Sequence, residues 1–385
     1  MIKLCSEIIN KDDIDHLISW LQEMPKLTKG EKTLEFEEQF SSYLGCKYSI
    51  FCNSGSSANL LITSALIQSG RLKNNKIVVP QVSWSTTIFP VMQLGLSPIM
   101  CDCNLENLGI DLQNFEEIVE QEKPAAVILV HVLGLDSNIQ QILDICDKHD
   151  IIVIEDTCES LGSEINNKKL GTFGLAGSFS FYFGHHISTI EGGMICTDDK
   201  EFADIIKMIR SHGWDRDLDD NTKRKYKQKY QVEEFDALYK FYYEGFNLRS
   251  TDLQAVIGLR QIPKINDIVK IRQQNYKCYQ DLISNELWRP TANQSVVSNM
   301  GYPLLVSNRS EVAAALTKEN IESRPLVSGS MGMQPAWQKR YNECVMKNSL
   351  IVNNQGMYVP NHSELSDYDI SKICNIINTV GEKHV

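Results

Sequence analysis

The chain has 385 residues, of which 42% are hydrophobic and 23% are charged, and these proportions are typical of a globular protein and exclude wholesale disorder. The 49 acidic residues outnumber the 38 lysines and arginines, and the formal charge of −11 disfavours binding to nucleic acid or to an anionic membrane. The N-terminal residues have no apolar signal-peptide region, and the longest apolar run, residues 125–135, is too short to span a bilayer.

The 11 cysteines are scattered along the chain, and Cys101 and Cys103 are the only close pair. They show no repeated metal-ligand spacing, and a chain of this length does not need disulfides to stabilise its core. We therefore expect reduced thiols, a cytoplasmic location and no metal site.

Apolar residues at helical spacing predict a helix over residues 12–24 and a second helix over residues 31–44, which ends at Gly45. Strand and helix signals then alternate along the chain. Strands are predicted over residues 76–80, 97–102, 125–132, 151–155, 177–183 and 193–197, and helices over residues 57–69, 111–121, 138–149 and 201–211. Alternation with nearly all-apolar strands indicates an α/β fold with a mainly parallel sheet covered by helices.

Residues 215–240 are highly charged, and five basic residues lie within residues 223–229. Two interpretations are open for this segment: a solvated, mobile insertion, or a mobile loop that closes over a phosphorylated substrate. A long helical segment begins near residue 252 and leads into a region of mixed strand and helix character. We therefore predict a large domain over residues 1–258 and a smaller C-terminal domain over residues 259–385.

Two segments contain candidate ligand-binding residues. Gly55 and Ser56 lie in a small-residue turn that opens a helix, where backbone N–H groups and the helix dipole favour an anion. An ordinary helix cap is the alternative. Asp156 and Glu159 follow the predicted strand over residues 151–155, and the carboxyl ends of parallel strands are where open α/β sheets bind ligands. A cap or a surface carboxylate is the alternative there.

A third segment contains two adjacent histidines. Ser180 lies near the end of another predicted strand, and His185 and His186 follow it. Neighbouring side chains in such a segment point in different directions, so at most one histidine is expected to face a given site. A structural role is the alternative for each, and no nearby His or Cys completes a facing set of metal ligands.

In this order, the three segments resemble the fold-type I pyridoxal-phosphate enzymes. More narrowly, they resemble the sugar aminotransferase (DegT/DnrJ/EryC1/StrS) family, which makes amino and deoxy nucleotide sugars. The resemblance covers nearly the whole chain and includes the motifs LTKG (27–30), VPQVSWS (79–85), GTFG (171–174), SHGW (211–214), GFNLR (245–249) and SRP (323–325). It implies a large cofactor-binding domain with a mainly parallel mixed sheet and a smaller C-terminal α+β domain.

One position departs from the family pattern. Family aminotransferases have a lysine five residues after the serine matched by Ser180 and six before the glutamate matched by Glu191, and this lysine bonds covalently to the cofactor. Here the position is His185, and no lysine occurs within residues 170–199. An imidazole cannot form that bond, but it can move protons near neutral pH. The exchange resembles the 3-dehydratases of deoxysugar pathways. A sister group adds an iron–sulfur cluster, whose clustered cysteines are missing here.

The resemblance implies a 3-dehydratase that uses pyridoxal 5'-phosphate and pyridoxamine 5'-phosphate, without an iron–sulfur cluster. Its implied substrate is a nucleotide-linked 4-keto-6-deoxy hexose or heptose, with GDP expected as the nucleotide. L-Glutamate is implied as the amino donor, and 2-oxoglutarate and ammonia as released products. Two alternatives are a nucleotide-sugar aminotransferase and a catalytically inactive family member that still binds the cofactor.

The resemblance also assigns roles to residues. His185 is implied to carry the catalytic proton, Asp156 to keep the pyridine nitrogen protonated, and Trp84 to stack on the ring. The other implied cofactor residues are Gly55, Ser56, Glu159, Ser180 and Asn247, and the implied substrate residues are His212, Arg249 and Arg324. Because Asn247 is implied to reach the phosphate of the neighbouring subunit, we expect a homodimer with shared active sites.

Overall fold

The structure is a computed structural model that describes residues 1–384. The helices are α1 (Lys11–Gln22), α2 (Glu31–Leu44), α3 (Gly55–Gln68), α4 (Ser85–Gln93), α5 (Leu112–Glu122), α6 (Ile139–His149), α7 (Lys200–Arg210), α8 (Asp220–Tyr230), α9 (Asp252–Gln261), α10 (Ile265–Leu282), α11 (Arg309–Lys318), α12 (Pro335–Gln338), α13 (Lys347–Gln355) and α14 (Asp367–Val380). Short 3-10 segments lie at Val132–Gly134, Asp236–Tyr239, Ile262–Lys264 and Met331–Met333. No helix among the described residues has the length and apolar character needed to cross a bilayer.

The strands form one large sheet and two small ones. They are β1 (Tyr48–Cys52), β2 (Lys76–Pro80), β3 (Ser97–Cys101), β4 (Ala126–Val130), β5 (Ile152–Asp156), β6 (Glu164–Ile165), β7 (Lys168–Lys169), β8 (Ala176–Ser180), β9 (Gly193–Thr197), β10 (Gly301–Leu305), β11 (Arg324–Pro325) and β12 (Gly356–Pro360). The large sheet has the order β1-β9-β8-β5-β4-β2-β3. Its pairings from β3 to β8 are parallel, whereas β9 runs antiparallel to both β8 and β1.

Helices cover both faces of the large sheet, because alternate residues of each strand enter two different cores. In β4, Ala126 and Ile128 pack in the core that contains residues of α3 and α7. Val127 and Leu129 pack in the core that contains residues of α5 and α6. All five residues of β4 are therefore buried, as a continuous apolar strand predicts. The predicted α/β fold with a mainly parallel mixed sheet is confirmed.

The two N-terminal helices follow the local signals in their sequences. An Asn10 capping box begins α1, and α2 ends at Gly45, whose φ of 85° lies in the left-handed region that favours glycine. Phe36 and Phe40 of α2 are fully buried and pack edge-on against other aromatic rings. The apolar face of α2 thereby attaches this helix to the large sheet.

The C-terminal part contains a three-stranded antiparallel sheet in the order β10-β12-β11. Its core is shared with residues 132–135, which follow β4, so this part packs on the large sheet at the end where β4 stops. The predicted domain boundary at residues 258/259 falls inside α9 and remains a prediction. The charged segment includes α8, none of whose residues is buried, and neither interpretation of its role is tested by this position.

The carboxyl ends of the parallel strands meet at one edge of the large sheet. Gly55 follows β1, Trp84 follows β2, Asp156 ends β5, and Ser180 ends β8. Because β9 runs in the opposite direction, Glu191 precedes its first residue at the same edge. The fold therefore brings segments that are far apart in sequence to the place where open α/β sheets bind ligands.

Candidate active site

A cavity of about 790 Å³ lies at this edge, between the large sheet and the C-terminal part. Eight of the residues predicted as site residues line it: Gly55, Ser56, Trp84, Asp156, Glu159, Ser180, His185 and Arg324. The cavity is large enough for a cofactor together with part of a substrate, since ligand sites typically occupy roughly 300–1,000 Å³.

The carboxylate of Asp156 is held in one orientation by three hydrogen bonds. Its Oδ2 accepts bonds from Asn59 Nδ2 at 2.8 Å and Thr87 Oγ1 at 2.7 Å, and its Oδ1 accepts one from the Cys158 backbone N–H at 3.2 Å. Ser178 Oγ donates to Asn59 Oδ1 at 2.6 Å, which fixes the orientation of that amide. A buried carboxylate held in this way can pair with a cationic ring nitrogen in the cavity.

The first turn of α3 forms a corner of the cavity whose backbone N–H groups would suit an anion. Ser54 caps the helix by accepting a hydrogen bond from the Ser57 backbone N–H at 3.1 Å. Gly55 lies so close to β8 that an added Cβ would come within 2.6 Å of Ser180 Cβ. The absence of a side chain at Gly55 therefore leaves the backbone N–H groups beside the hydroxyls of Ser56 and Ser180, a donor set suited to phosphate.

Trp84 supplies an aromatic wall. It is the N-cap of α4, and 54% of its surface is exposed in a cavity rather than buried in a core. The indole face of Trp84 lies in the same cavity as the buried Asp156 carboxylate. This arrangement suits a planar heteroaromatic ring that stacks on the indole and pairs with the carboxylate.

Only one of the two adjacent histidines faces the cavity. His185 lines it, and its Nδ1 is buried without a hydrogen-bond partner. His186 is 1% exposed, and its Nε2 pairs with the Ser298 carbonyl oxygen at 3.0 Å, away from the cavity. The prediction that at most one histidine faces the site is confirmed.

The surroundings of His185 favour its neutral form. Loss of hydration on burial lowers the pKa of His185 to about 4, and the positive charge of Arg272 acts in the same direction. The nearby Asp156 carboxylate opposes both effects without cancelling them. The imidazole is therefore unprotonated at neutral pH and available as a base.

Glu159 lies deeper in the same wall. Its Oε2 accepts a hydrogen bond from the Leu133 backbone N–H at 2.7 Å. Burial raises the pKa of Glu159 to about 7, against the opposing effect of the Leu133 hydrogen bond, and the Asp156 charge adds a smaller upward contribution. A carboxyl group that titrates near neutral pH can donate or accept a hydrogen bond inside the cavity.

Three predicted site residues do not line the cavity of this chain. Asn247 is exposed and bridges Ser211 through its backbone. The His212 ring lies edge-on to Trp214 at 5.3 Å between centroids, and Arg249 bridges Cys52 through its backbone. Their assignments remain predictions.

Other lining residues were not predicted. Neither Asn59 nor Thr87 was assigned a role from the sequence. The available signal for Asn59 is its spacing, because it follows Gly55 by four residues on α3 and so lies on the same face of the helix. The N-terminal residues 3–7 also line the cavity, and they are held there by the Leu4 backbone N–H, which donates to Glu322 Oε2 at 2.9 Å. No local sequence signal indicates that contact.

Among residues 1–384, no group of three or more His, Cys, Asp or Glu side chains could hold a metal.

Known proteins match nearly the whole chain. GDP-4-keto-6-deoxy-D-mannose 3-dehydratase from Escherichia coli O55:H7 is 34% identical over 370 residues, which cover 92% of this chain and 95% of the relative. The crystal structure of a histidine-to-asparagine variant of GDP-4-keto-6-deoxymannose-3-dehydratase with bound GDP-perosamine has a TM-score of 0.90 and 31% identity, covering 98% of this chain and 100% of that one.

A second crystal structure of GDP-4-keto-6-deoxymannose-3-dehydratase contains a trapped PLP-glutamate geminal diamine. It has a TM-score of 0.89 and 30% identity, and it covers 98% of this chain and 100% of that one. The sequence profile of one family matches residues 8–378, nearly the whole chain. This chain therefore belongs to the DegT/DnrJ/EryC1/StrS aminotransferase family.

Proposed function

We propose that this chain removes the C3 hydroxyl from a GDP-linked 4-keto-6-deoxy sugar, with pyridoxal 5'-phosphate and pyridoxamine 5'-phosphate as the cofactor and L-glutamate as the amino donor. The observation that carries the proposal is His185 in the cavity, beside the anion corner and Asp156, at the position where family aminotransferases have lysine. The two 3-dehydratase structures and the E. coli relative support this reaction over amino transfer.

The cavity residues fit the cofactor. The Gly55 corner, which a Cβ would fill, and the hydroxyls of Ser56 and Ser180 would hold the phosphate. Asp156 would keep the ring nitrogen protonated, and Trp84 would cover the ring face. When bound, the cofactor supplies an electron sink and, in its amine form, the nitrogen that joins the C4 ketone of the sugar.

His185 moves the proton in this proposal. The His185 imidazole, uncharged at neutral pH, would take a proton from the reacting carbon beside the ring. The resulting imidazolium then donates that proton to the departing C3 oxygen, which leaves as water. Because imidazole forms no covalent bond to the cofactor, His185 is free for both transfers. Hydrolysis then gives the 3-deoxy ketone and ammonia.

We also propose a homodimer with two shared active sites. Asn247 is exposed on the surface of this chain and lies outside its cavity, so it is available to a neighbouring copy. Family resemblance assigns it to the phosphate of that neighbour, and His212 and Arg249 lie on the adjoining segments as candidate substrate contacts. Arg324 lines the cavity of its own chain and would contact the substrate there.

Product analysis tests the reaction. The purified protein is incubated with L-glutamate, the cofactor and a panel of GDP-linked 4-keto-6-deoxy hexoses and heptoses, and products are identified by mass spectrometry. We expect a 3-deoxy ketone and ammonia. An amino sugar as product would overturn the proposal in favour of an aminotransferase. If glutamate did not bleach the pyridoxal absorbance, the chain would be an inactive family member.

Borohydride reduction gives an independent test. We expect no cofactor to become attached to the chain, since His185 offers no imine to reduce. Lys3 is the only lysine that lines the cavity within residues 1–384, and it is an exposed partner of Glu7 at 3.3 Å. If a modified peptide were found at Lys3 and lost in Lys3→Arg, that lysine would bond to the cofactor and the proposal would fail.

A further inference from the structure

A second cavity, of about 340 Å³, lies at the opposite edge of the large sheet from the proposed active site. It is lined by the turn after α2, by the segment that precedes β8 and by the end of β9. Two thiols, those of Cys46 and Cys196, face it. The proposed reaction uses neither of them.

The two cysteines lie on either side of one hydroxyl. Ser49 and Cys196 are cross-strand partners in the β1–β9 pair, with Ser49 Oγ 3.3 Å from Cys196 Sγ. On the other side, Cys46 Sγ lies 3.6 Å from Ser49 Oγ. Ser41 Oγ donates a hydrogen bond to Ser49 Oγ at 2.8 Å, so the single Ser49 proton is left to donate to a sulfur.

We propose that Cys46 and Cys196 form a peroxide-sensitive dithiol site, in which the Cys46 thiolate is oxidised first and the Cys196 thiol then closes a disulfide. Low-pKa thiolates with a neighbouring resolving thiol are the cysteines that peroxides oxidise selectively. In a cytosol such disulfides are transient and redox-sensing rather than structural.

The two thiols differ in the way that this order of reaction requires. Cys46 is half-buried, and its neighbours Cys196 and Ser49 lower the pKa of Cys46 to about 7, against the opposing effects of burial and of the Asp198 charge. Cys196 is 1% exposed, and burial raises the pKa of its thiol well above the ordinary value. Cys46 is therefore the nucleophile, and Cys196 is the protonated thiol held beside it.

The cavity selects the oxidant by charge. Asp198 and Asp199 both line it, and a bidentate ion pair with Arg71 neutralises only Asp199. Anionic oxidants such as glutathione disulfide would be repelled, whereas hydrogen peroxide is small and uncharged. The Cys46 thiolate attacks one peroxide oxygen, which yields a sulfenic acid and hydroxide. The Cys196 thiol attacks that sulfur, which yields the disulfide and water, so the thiols lose two electrons and the peroxide gains two.

The test treats the full-length protein with hydrogen peroxide and maps its thiols by mass spectrometry. We expect a mass decrease of about 2 Da, from loss of two hydrogens, in a linked Cys46–Cys196 peptide, and reversal by dithiothreitol. In Cys196→Ser, oxidation should stop at a Cys46 sulfenic acid that a dimedone probe traps, and Cys46→Ser should give neither product. Cys278→Ser is the control, because Cys278 lines neither cavity and burial raises the pKa of its thiol, and this variant should behave as the wild type does.

Two results would overturn the proposal. One is a peroxide-treated protein in which Cys46 and Cys196 both remain reduced while another cysteine is oxidised. The other is a wild type that accumulates the Cys46 sulfenic acid to the same extent as Cys196→Ser, since Cys196 would then not resolve it. Alkylation by iodoacetamide at pH 7 adds a readout, with Cys46 expected to react on the order of tenfold faster than Cys278.

Discussion

His185→Asn tests the proposed proton transfer directly. Asparagine keeps the polarity and the approximate size of the side chain but cannot take up a proton in the working pH range. General acid–base catalysis is typically worth about 10²–10⁴-fold in rate, or about 3–5 kcal/mol of activation free energy. We expect kcat for ammonia release to fall by that factor. The Kd of the cofactor should stay equal to that of the wild type, because Asp156, Trp84 and the Gly55 corner are unchanged.

His186→Asn is the matched control, because it changes the same residue type at the next position. His186 is buried and pairs with the Ser298 carbonyl, so its loss should lower the free energy of unfolding by about 1–3 kcal/mol. Turnover per folded molecule should be retained. Urea unfolding combined with a steady-state ammonia assay separates the two effects. If His186→Asn abolished turnover of folded protein while His185→Asn kept more than about a tenth of it, the proton-transfer role would belong to His186.

Three further substitutions test the surrounding groups. Asp156→Asn should slow the glutamate half-reaction and dehydration together, followed by absorbance and by product; loss of dehydration alone would make Asp156 a substrate residue. Thr87→Val removes a hydrogen bond to that carboxylate, worth about 1.5–3 kcal/mol, and should slow both reactions less than Asp156→Asn does, with recovery in Thr87→Ser. The third substitution, Glu159→Gln, concerns stability: the pKa of Glu159 is raised from 4.5 to about 7 by burial, so the folded cofactor-free protein holds a proton that the unfolded chain releases. Its free energy of unfolding should fall by about 2.5 kcal/mol between pH 5 and pH 8, and Glu159→Gln should flatten that slope in urea titrations.

Six of the seven strands of the central sheet were predictable because they are apolar and bounded by turn residues, whereas β1 was not among the predicted strands. The predicted helix over residues 31–44 coincides with α2, since Gly45 provides the left-handed residue that ends it. Helix α4 was not predicted. Pro90 lies inside it and lacks the backbone N–H of a helical hydrogen bond, which argues against a helix from sequence alone. Packing of α4 against α3 overrides that local preference.

The cavity was predictable only where a residue lies in a motif at a strand end. Asp156 and Gly55 could be recognised in that way. Thr87 could not, because its role depends on a hydrogen bond across 69 residues of sequence. The same holds for residues 3–7, which reach the cavity only because Glu322, more than 300 residues away, accepts the Leu4 N–H. Long-range contacts of this kind leave no local pattern.

We propose that the identity of residue 185 decides the product more than the fold around it does. Burial and Arg272 already lower the pKa of the imidazole there, and the same surroundings would favour the neutral, nucleophilic form of a lysine amine. The site would therefore tolerate lysine, and its local electrostatics do not explain the histidine. The proposed reaction does explain it. A lysine amine would displace the nitrogen from the cofactor and release an amino sugar, whereas an imidazole leaves that nitrogen in place until water enters. In that interval the proposed acid, His185, would protonate the C3 oxygen and the C3–O bond would break.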